Sequence, residues 1–345
     1  VRLITAPLHE TQTANILVLI KVGSRQESDK IAGASHFIEH LMFKGTKKRP
    51  TTLDLSKELD GVGAEFNAFT GKDYTGYYVK SDTKHLSLAI DVLSDMLINS
   101  KFDPAEVKRE KGVIVEEINM YEDNPLMYID DLLEQTMFAG HQLGRSIAGS
   151  RQTIRAITRN ELVAYQKDFY QGQNIVIAVA GNFQDRHLKE IEKKFQFASG
   201  QKIPATKKIR INQKQPRVNL IFKETEQTQI ALGFPAYAYA DNKLYPLQLL
   251  SIILGGNMSS RLFLQVRERH GLAYFIHSSL SVYEDTGALV VQSGLDKSRI
   301  EAALNLILQE LKKIKKGVSA EELNRAKEYL FGKTALDLED TSHLS

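Results

Sequence analysis

The chain of 345 residues contains no cysteine. Disulfides and thiolate metal sites are therefore excluded, and any metal has to be held by histidine and carboxylate. The absence also fits a reducing compartment. No apolar run approaches the roughly 20 residues that cross a bilayer. No signal-peptide pattern is visible, although the chain opens on Val1 rather than Met, which leaves a removed targeting segment open. Charge of one sign is lacking too: the net value is +3, with both signs interspersed, so neither a nucleic-acid nor a membrane partner is expected. There is no low-complexity tract. What remains is a globular composition, 42% hydrophobic and 25% charged, on a chain long enough for two domains. A cytoplasmic location is expected, with the mitochondrial matrix or periplasm as alternatives.

Periodicity gives a strand over Asn15–Val22 and a helix carrying His36 to Phe43, stopped at Gly45. A helix over Leu53–Leu59, a hairpin over Glu65–Lys80 and an amphipathic helix over His85–Leu97 follow. Asp103-Pro104 opens a long helix through Met120, with another near Ile129–Phe138 and a buried strand over Asn174–Gly181. The stretch Ala198–Arg217 has six Lys or Arg, no acid, Pro204 and Pro216. It predicts a linker at 201–217 between a domain at 1–200 and a second at 218–345. The order of elements then repeats at an offset of roughly 216 residues, from a strand at Gln229 to a helix opening at Ser319. The second copy stops about 70 residues short of the first, so a C-terminal truncation is expected.

Chemistry concentrates on one helix. At about 100° per residue, His36 and His40 lie some 40° apart, with Glu39 about 60° to the other side. Two imidazoles so placed can hold one zinc ion, and the carboxylate can accept a proton from water beside it. Such a pattern arises by chance in about two chains per hundred, on a surface or core helix with unrelated histidines. The downstream helix provides a test. Its apolar stripe is Val107, Ile114 and Ile118. Glu110 and Glu117 share one flank of that stripe, while Glu116 points to solvent. Acids at a buried edge need a cation opposite, which selects Glu117 as third ligand and Glu110 as the acid that orients a ligand histidine. An ordinary helix salt bridge remains the alternative for Glu110.

His36-Phe-Ile-Glu-His40 with the distant Glu117 resembles the pitrilysin/insulinase family of inverted-motif zinc peptidases, and within it the bacterial and mitochondrial processing-peptidase-like proteins. The likeness extends to Gly23–Glu27, Asn67-Ala68, Gly140–Arg145 and Gly255–Leu262. It implies an α+β fold of two similar domains, each a mostly antiparallel six-stranded sheet flanked by helices. It implies one Zn2+ per chain on His36, His40 and Glu117, with Glu39 as catalytic base. Only the first domain would bind metal, because the second has Ile252–Gly256 in place of the histidines and Lys333 near the position of Glu117.

The resemblance also implies that Asn67 and Ala68 pair with a substrate backbone. Arg267 and Tyr274 would reach the zinc site from an opposite half and stabilise an oxyanion. A sheet edge without a role, and a helix salt bridge with a core tyrosine, are the alternatives. A homodimer, or a heterodimer with a related chain, would enclose a chamber favouring peptides and unfolded segments. The expected activity is zinc-dependent endopeptidase. A non-catalytic partner subunit competes with it, but inactive family members usually lose the motif and all four zinc-site residues are present here; a purely structural metal site would leave Glu39 without a task. His141 reads as a structural loop residue. His9, His85, His187, His270, His277 and His343 lack partners at ligand spacing.

Overall fold

A computed structural model describes residues 1–200, 203, 208–209, 211 and 213–345. Eight strands alternate with eleven helices among them. The strands are β1 (Arg2–Pro7), β2 (Thr13–Ile20), β3 (Glu65–Thr70), β4 (Thr75–Asp82), β5 (Ile175–Gly181), β6 (Gln227–Ala236), β7 (Ala273–Val282) and β8 (Gly287–Asp296). The helices are α1 (Ala34–Met42), α2 (Thr52–Asp60), α3 (Leu86–Asn99), α4 (Pro104–Asp123), α5 (Pro125–Met137), α6 (Arg151–Ala156), α7 (Arg159–Phe169), α8 (Asp185–Lys194), α9 (Leu244–Gly255), α10 (Ile300–Ile314) and α11 (Ala320–Asp337). They pack as two units. Unit 1 takes the described residues of 1–118, 145–206 and 336–345, and unit 2 those of 119–144 and 207–335. The expected linker falls in part on residues outside those described.

Unit 1 is built on a five-stranded sheet in the order β1-β5-β2-β4-β3. β1 runs parallel to β5, and the other pairings are antiparallel. Alternate residues of β2, namely Ala14, Ile16, Val18 and Ile20, are fully buried, as a strand with one core face requires. They share a core with Phe37, Ile38 and Leu41 of α1, Ile90 and Leu93 of α3, and Ile114 and Ile118 of α4. Each such aliphatic side chain contributes about 1.5–3 kcal/mol by leaving water. β3 stands at the sheet edge.

The start of α1 is fixed by distant segments. Gly33 has φ +96°, and a Cβ there would meet the Ala148 carbonyl oxygen at 2.7 Å. The buried Glu27 carboxylate accepts from the Gly33 and Ser35 N–H groups at 2.6 and 2.7 Å, satisfying donors that a helix N-terminus leaves free. Arg145 Nη1 in turn donates to the Glu27 carbonyl at 3.1 Å.

Unit 2 has a three-stranded antiparallel sheet, β6-β8-β7, with the first nine residues of β8 buried. One face packs on Leu254 of α9 and Ala303 and Ile307 of α10. Met137 and Phe138 join Tyr283, Ala288 and Val290 in a second cluster, which places the α5 region in this unit.

The α+β class with helix-flanked, mostly antiparallel sheets holds. The six-stranded count does not: the described residues give five strands and three. In unit 1, β1 joins the sheet by parallel pairing that its exposed, short sequence does not advertise. In unit 2, Val218, Leu220 and Phe222 alternate as in a strand but lie 90, 85 and 88% exposed and outside the sheet. None of the helices among the described residues is long and apolar enough to cross a membrane.

Candidate metal centre

α1 projects His36 and His40 side by side, their ring centroids 4.6 Å apart and their planes inclined at 71°. Glu117 on α4 faces both. Its Oε2 lies 3.6 Å from His36 Nε2 and 3.5 Å from His40 Nε2. Among the described residues these three form the one set of His, Cys, Asp or Glu whose ligand atoms all fall within 4.8 Å of one another. Zinc bonds of 2.0–2.2 Å place tetrahedral donors about 3.3 Å apart, so the spacing fits such an ion with little adjustment. Three protein ligands leave a fourth position open, which distinguishes catalytic from structural zinc sites.

The surroundings tune each group. Glu110 is 1% exposed. Its Oε2 lies 3.1 Å from His40 Nδ1, and its Oε1 takes a salt bridge from Lys44 at 2.9 Å. Burial would raise the Glu110 carboxyl, but His40 and Lys44 together hold it below its ordinary range. His40 is likewise desolvated, yet hydrogen bonds to Glu110 and Glu117 outweigh burial and push it up to about 9. His36 moves the other way, to about 4, because burial and the neighbouring His40 charge prevail over Glu117. Its Nδ1 is buried without a hydrogen-bond partner. Glu117 is depressed, first by its hydrogen bond to His40.

Glu39 projects from α1 between the histidines in sequence. Burial raises its carboxyl, and a hydrogen bond from Thr70 Oγ1, 2.5 Å from Glu39 Oε2, moderates the rise. A carboxyl displaced upward is suited to accepting a proton near neutral pH.

Asn67 and Ala68 lie on β3, paired with Tyr78 and Tyr77 of β4. The Ala68 N–H is turned to Asn67 Oδ1 at 2.8 Å. Arg267 and Tyr274 belong to unit 2. Arg267 lies in a π-helical segment, Phe263–Arg269, with its guanidinium 4.8 Å over the Phe263 ring. Tyr274 is 73% exposed, so it is no core tyrosine. It falls where the β7–β8 register slips between Ala273 and Phe275, an irregularity of the kind that re-aims a side chain. His141 Nδ1 accepts from the Leu143 N–H at 3.1 Å, and His187 Nδ1 from the Gln184 N–H at 3.0 Å.

Three residues around the centre were not singled out from the sequence. Lys44 follows His40 by four positions and could have been found from helix spacing. Thr70 and the Glu27 cap depend on tertiary proximity.

With that geometry in place, residues 2–151 match the family described as insulinase (peptidase family M16), and residues 156–330 match the M16 inactive domain. The chain belongs to the insulinase peptidase family, M16. This M16 chain is 38% identical to a Bacillus subtilis protein named uncharacterized zinc protease YmxG, over 99% of the chain and 83% of that protein. It is also 38% identical to the Streptomyces coelicolor protein named uncharacterized zinc protease SCO5738, over 99% of the chain and 76% of the relative. Among solved structures, a protease from Helicobacter pylori superposes with a TM-score of 0.91 at 23% identity, covering 99% of this chain and 84% of that one. An M16 inactive-domain protein from Pseudomonas fluorescens superposes with a TM-score of 0.88 at 20% identity, covering 96% and 81%. Both share the fold of this M16 chain.

Proposed function

We propose that this chain is a zinc-dependent endopeptidase that hydrolyses peptides and unfolded polypeptide segments. What supports it is the convergence of His36, His40 and Glu117 within ligand reach of one another, with Glu39 on the same helix. His36 Nε2, His40 Nε2 and a Glu117 oxygen would hold one Zn2+. When bound, the ion lowers the pKa of water and polarises the scissile carbonyl. Glu39 takes the proton of the attacking water and returns it to the leaving amine. Glu110 keeps the His40 ring in place through Nδ1.

The substrate adds as a strand to the edge of β3 at Asn67 and Ala68, so that main-chain hydrogen bonds supply affinity without demanding a side-chain sequence. Arg267 and Tyr274 anchor the carbonyl and offset its developing negative charge, acting from the opposite half of a dimer that encloses the substrate. The N-terminal half is the catalytic domain and the C-terminal half an inactive duplicate. The names of the Bacillus and Streptomyces relatives favour zinc.

The test is cleavage of a quenched fluorescent peptide with metal analysis in parallel. Chelation should abolish cleavage and zinc should restore it. Glu39→Gln should retain one zinc per chain and lose cleavage; an active Glu39→Gln enzyme would refute the assignment of the base.

A further inference from the structure

We propose that Thr70 is a positioning residue for the Glu39 carboxylate, tying the strand that receives substrate to the group that moves the proton. The proposal rests on the peptidase reading above and adds a residue that neither the motif nor the metal ligand set contains. Thr70 is the last residue of β3, immediately downstream of Asn67-Ala68-Phe69. Its hydroxyl donates to Glu39 Oε2 at 2.5 Å. That bond selects one carboxylate rotamer and occupies one oxygen, leaving Oε1 to take the proton from water.

The Thr70 end of β3 is anchored tightly enough for this task. Thr70 pairs with Thr75 across the hairpin, and Gly71 N–H closes the turn onto the Tyr74 carbonyl at 2.8 Å. Thr75 is fully buried, and its hydroxyl donates to the Val22 carbonyl at 2.8 Å. The turn carbonyls of Gly71 and Lys72 accept from the Ser24 and Arg25 N–H groups at 3.2 and 3.0 Å. Arg25, itself 1% exposed, reaches Asp73 at 3.2 Å. Lys72 Nζ donates to the Arg145 carbonyl at 2.5 Å. A side chain on so constrained a turn can hold a neighbouring carboxylate within the tolerance that proton transfer demands. A peptide pairing with β3 therefore engages the same strand that fixes the base, and its binding energy is expressed in kcat as well as in KM.

The experiment compares zinc-loaded wild type, Thr70→Val, Thr70→Ala, Thr70→Ser and Glu39→Gln on one fluorogenic peptide, with zinc content and thermal midpoint recorded for each. Removing the hydroxyl should lower kcat about 10- to 100-fold, the range for losing a hydrogen bond to a charged group. KM, zinc stoichiometry and midpoint should stay near wild type. Thr70→Ser, which keeps the hydroxyl, should recover kcat to within a few-fold. The proposal is overturned if Thr70→Val and Thr70→Ala keep wild-type kcat, if Ser fails to rescue, if KM alone rises, or if lost activity tracks lost zinc or stability. Wild type that binds zinc without cleaving, or an active Glu39→Gln, overturns the peptidase reading and this proposal with it. Normal Glu39 behaviour with unaffected Thr70 variants overturns the proposal alone.

Discussion

His40 Nδ1 lies 3.1 Å from Glu110 Oε2, and the other oxygen of the same carboxylate lies 2.9 Å from Lys44 Nζ. One acid thus fixes the orientation of the ring while its own charge is balanced. Glu110→Ala frees the ring and leaves Lys44 without this partner. Zinc affinity should fall about 10- to 100-fold, the usual effect of removing the partner of a ligand histidine. Competition against a chromogenic chelator measures this; an unchanged Kd would refute the orienting role.

Loss of His40 itself should be more severe. His40→Ala leaves one imidazole and one carboxylate, too few for a stable zinc site. Zinc per chain should drop to near zero after dialysis, and peptide cleavage should vanish with it. Full metal occupancy in the variant would remove His40 from the ligand set.

The β3 edge can be tested without disturbing the sheet. The Ala68 N–H is turned to the Asn67 side chain, so proline at 68 leaves the β3–β4 ladder intact. Ala68→Pro should change thermal stability little. KM for oligopeptides should rise about tenfold, since a main-chain donor is lost. Equal KM values in variant and wild type would show that substrate does not pair there.

Much of this architecture was legible in the sequence. The α1 motif spacing, the β3–β4 hairpin and the apolar stripes of α3 and α4 are local patterns, and each appears where periodicity puts it. The shared flank of His36 and His40 on α1, and of Glu110 and Glu117 on α4, was legible from helical spacing, while the approach of Glu117 to the histidines was expected from the need of a buried-edge acid for a cation and from the family resemblance. The rest depends on distant contacts. β1 is short and exposed along most of its length, and its partner β5 lies far away in the chain. The segment 119–144 continues smoothly from α4 in sequence, yet its Met137 and Phe138 pack with Tyr283 and Val290. Thr70 reaches Glu39 only through the tertiary fold, and Glu27 caps a helix from outside any local capping pattern.

Glu27 also predicts a pH dependence. Burial raises its carboxyl from 4.5 to about 7, against the lowering effect of the Ser35 and Gly33 N–H bonds. The folded chain therefore binds this proton more tightly than the unfolded one. The stabilisation is complete below about pH 4.5 and is lost as pH rises through about 7, amounting to about 3 kcal/mol for this group. Between those limits Glu27→Gln should show a flatter stability profile than wild type in denaturant titrations. Parallel profiles would show that Glu27 does not titrate there.

The contact between Gly33 and Ala148 reaches beyond packing. A methyl group at position 33 would run into the Ala148 carbonyl, and one at Gly149 would meet the Ala32 carbonyl at 2.3 Å. These two backbones serve as a brace behind the histidine-bearing helix, from a loop that contributes no ligand. Insertions or loop grafts between Arg145 and Ser150 should misalign the zinc pocket before they loosen the sheet, so this surface turn is a poor place to engineer.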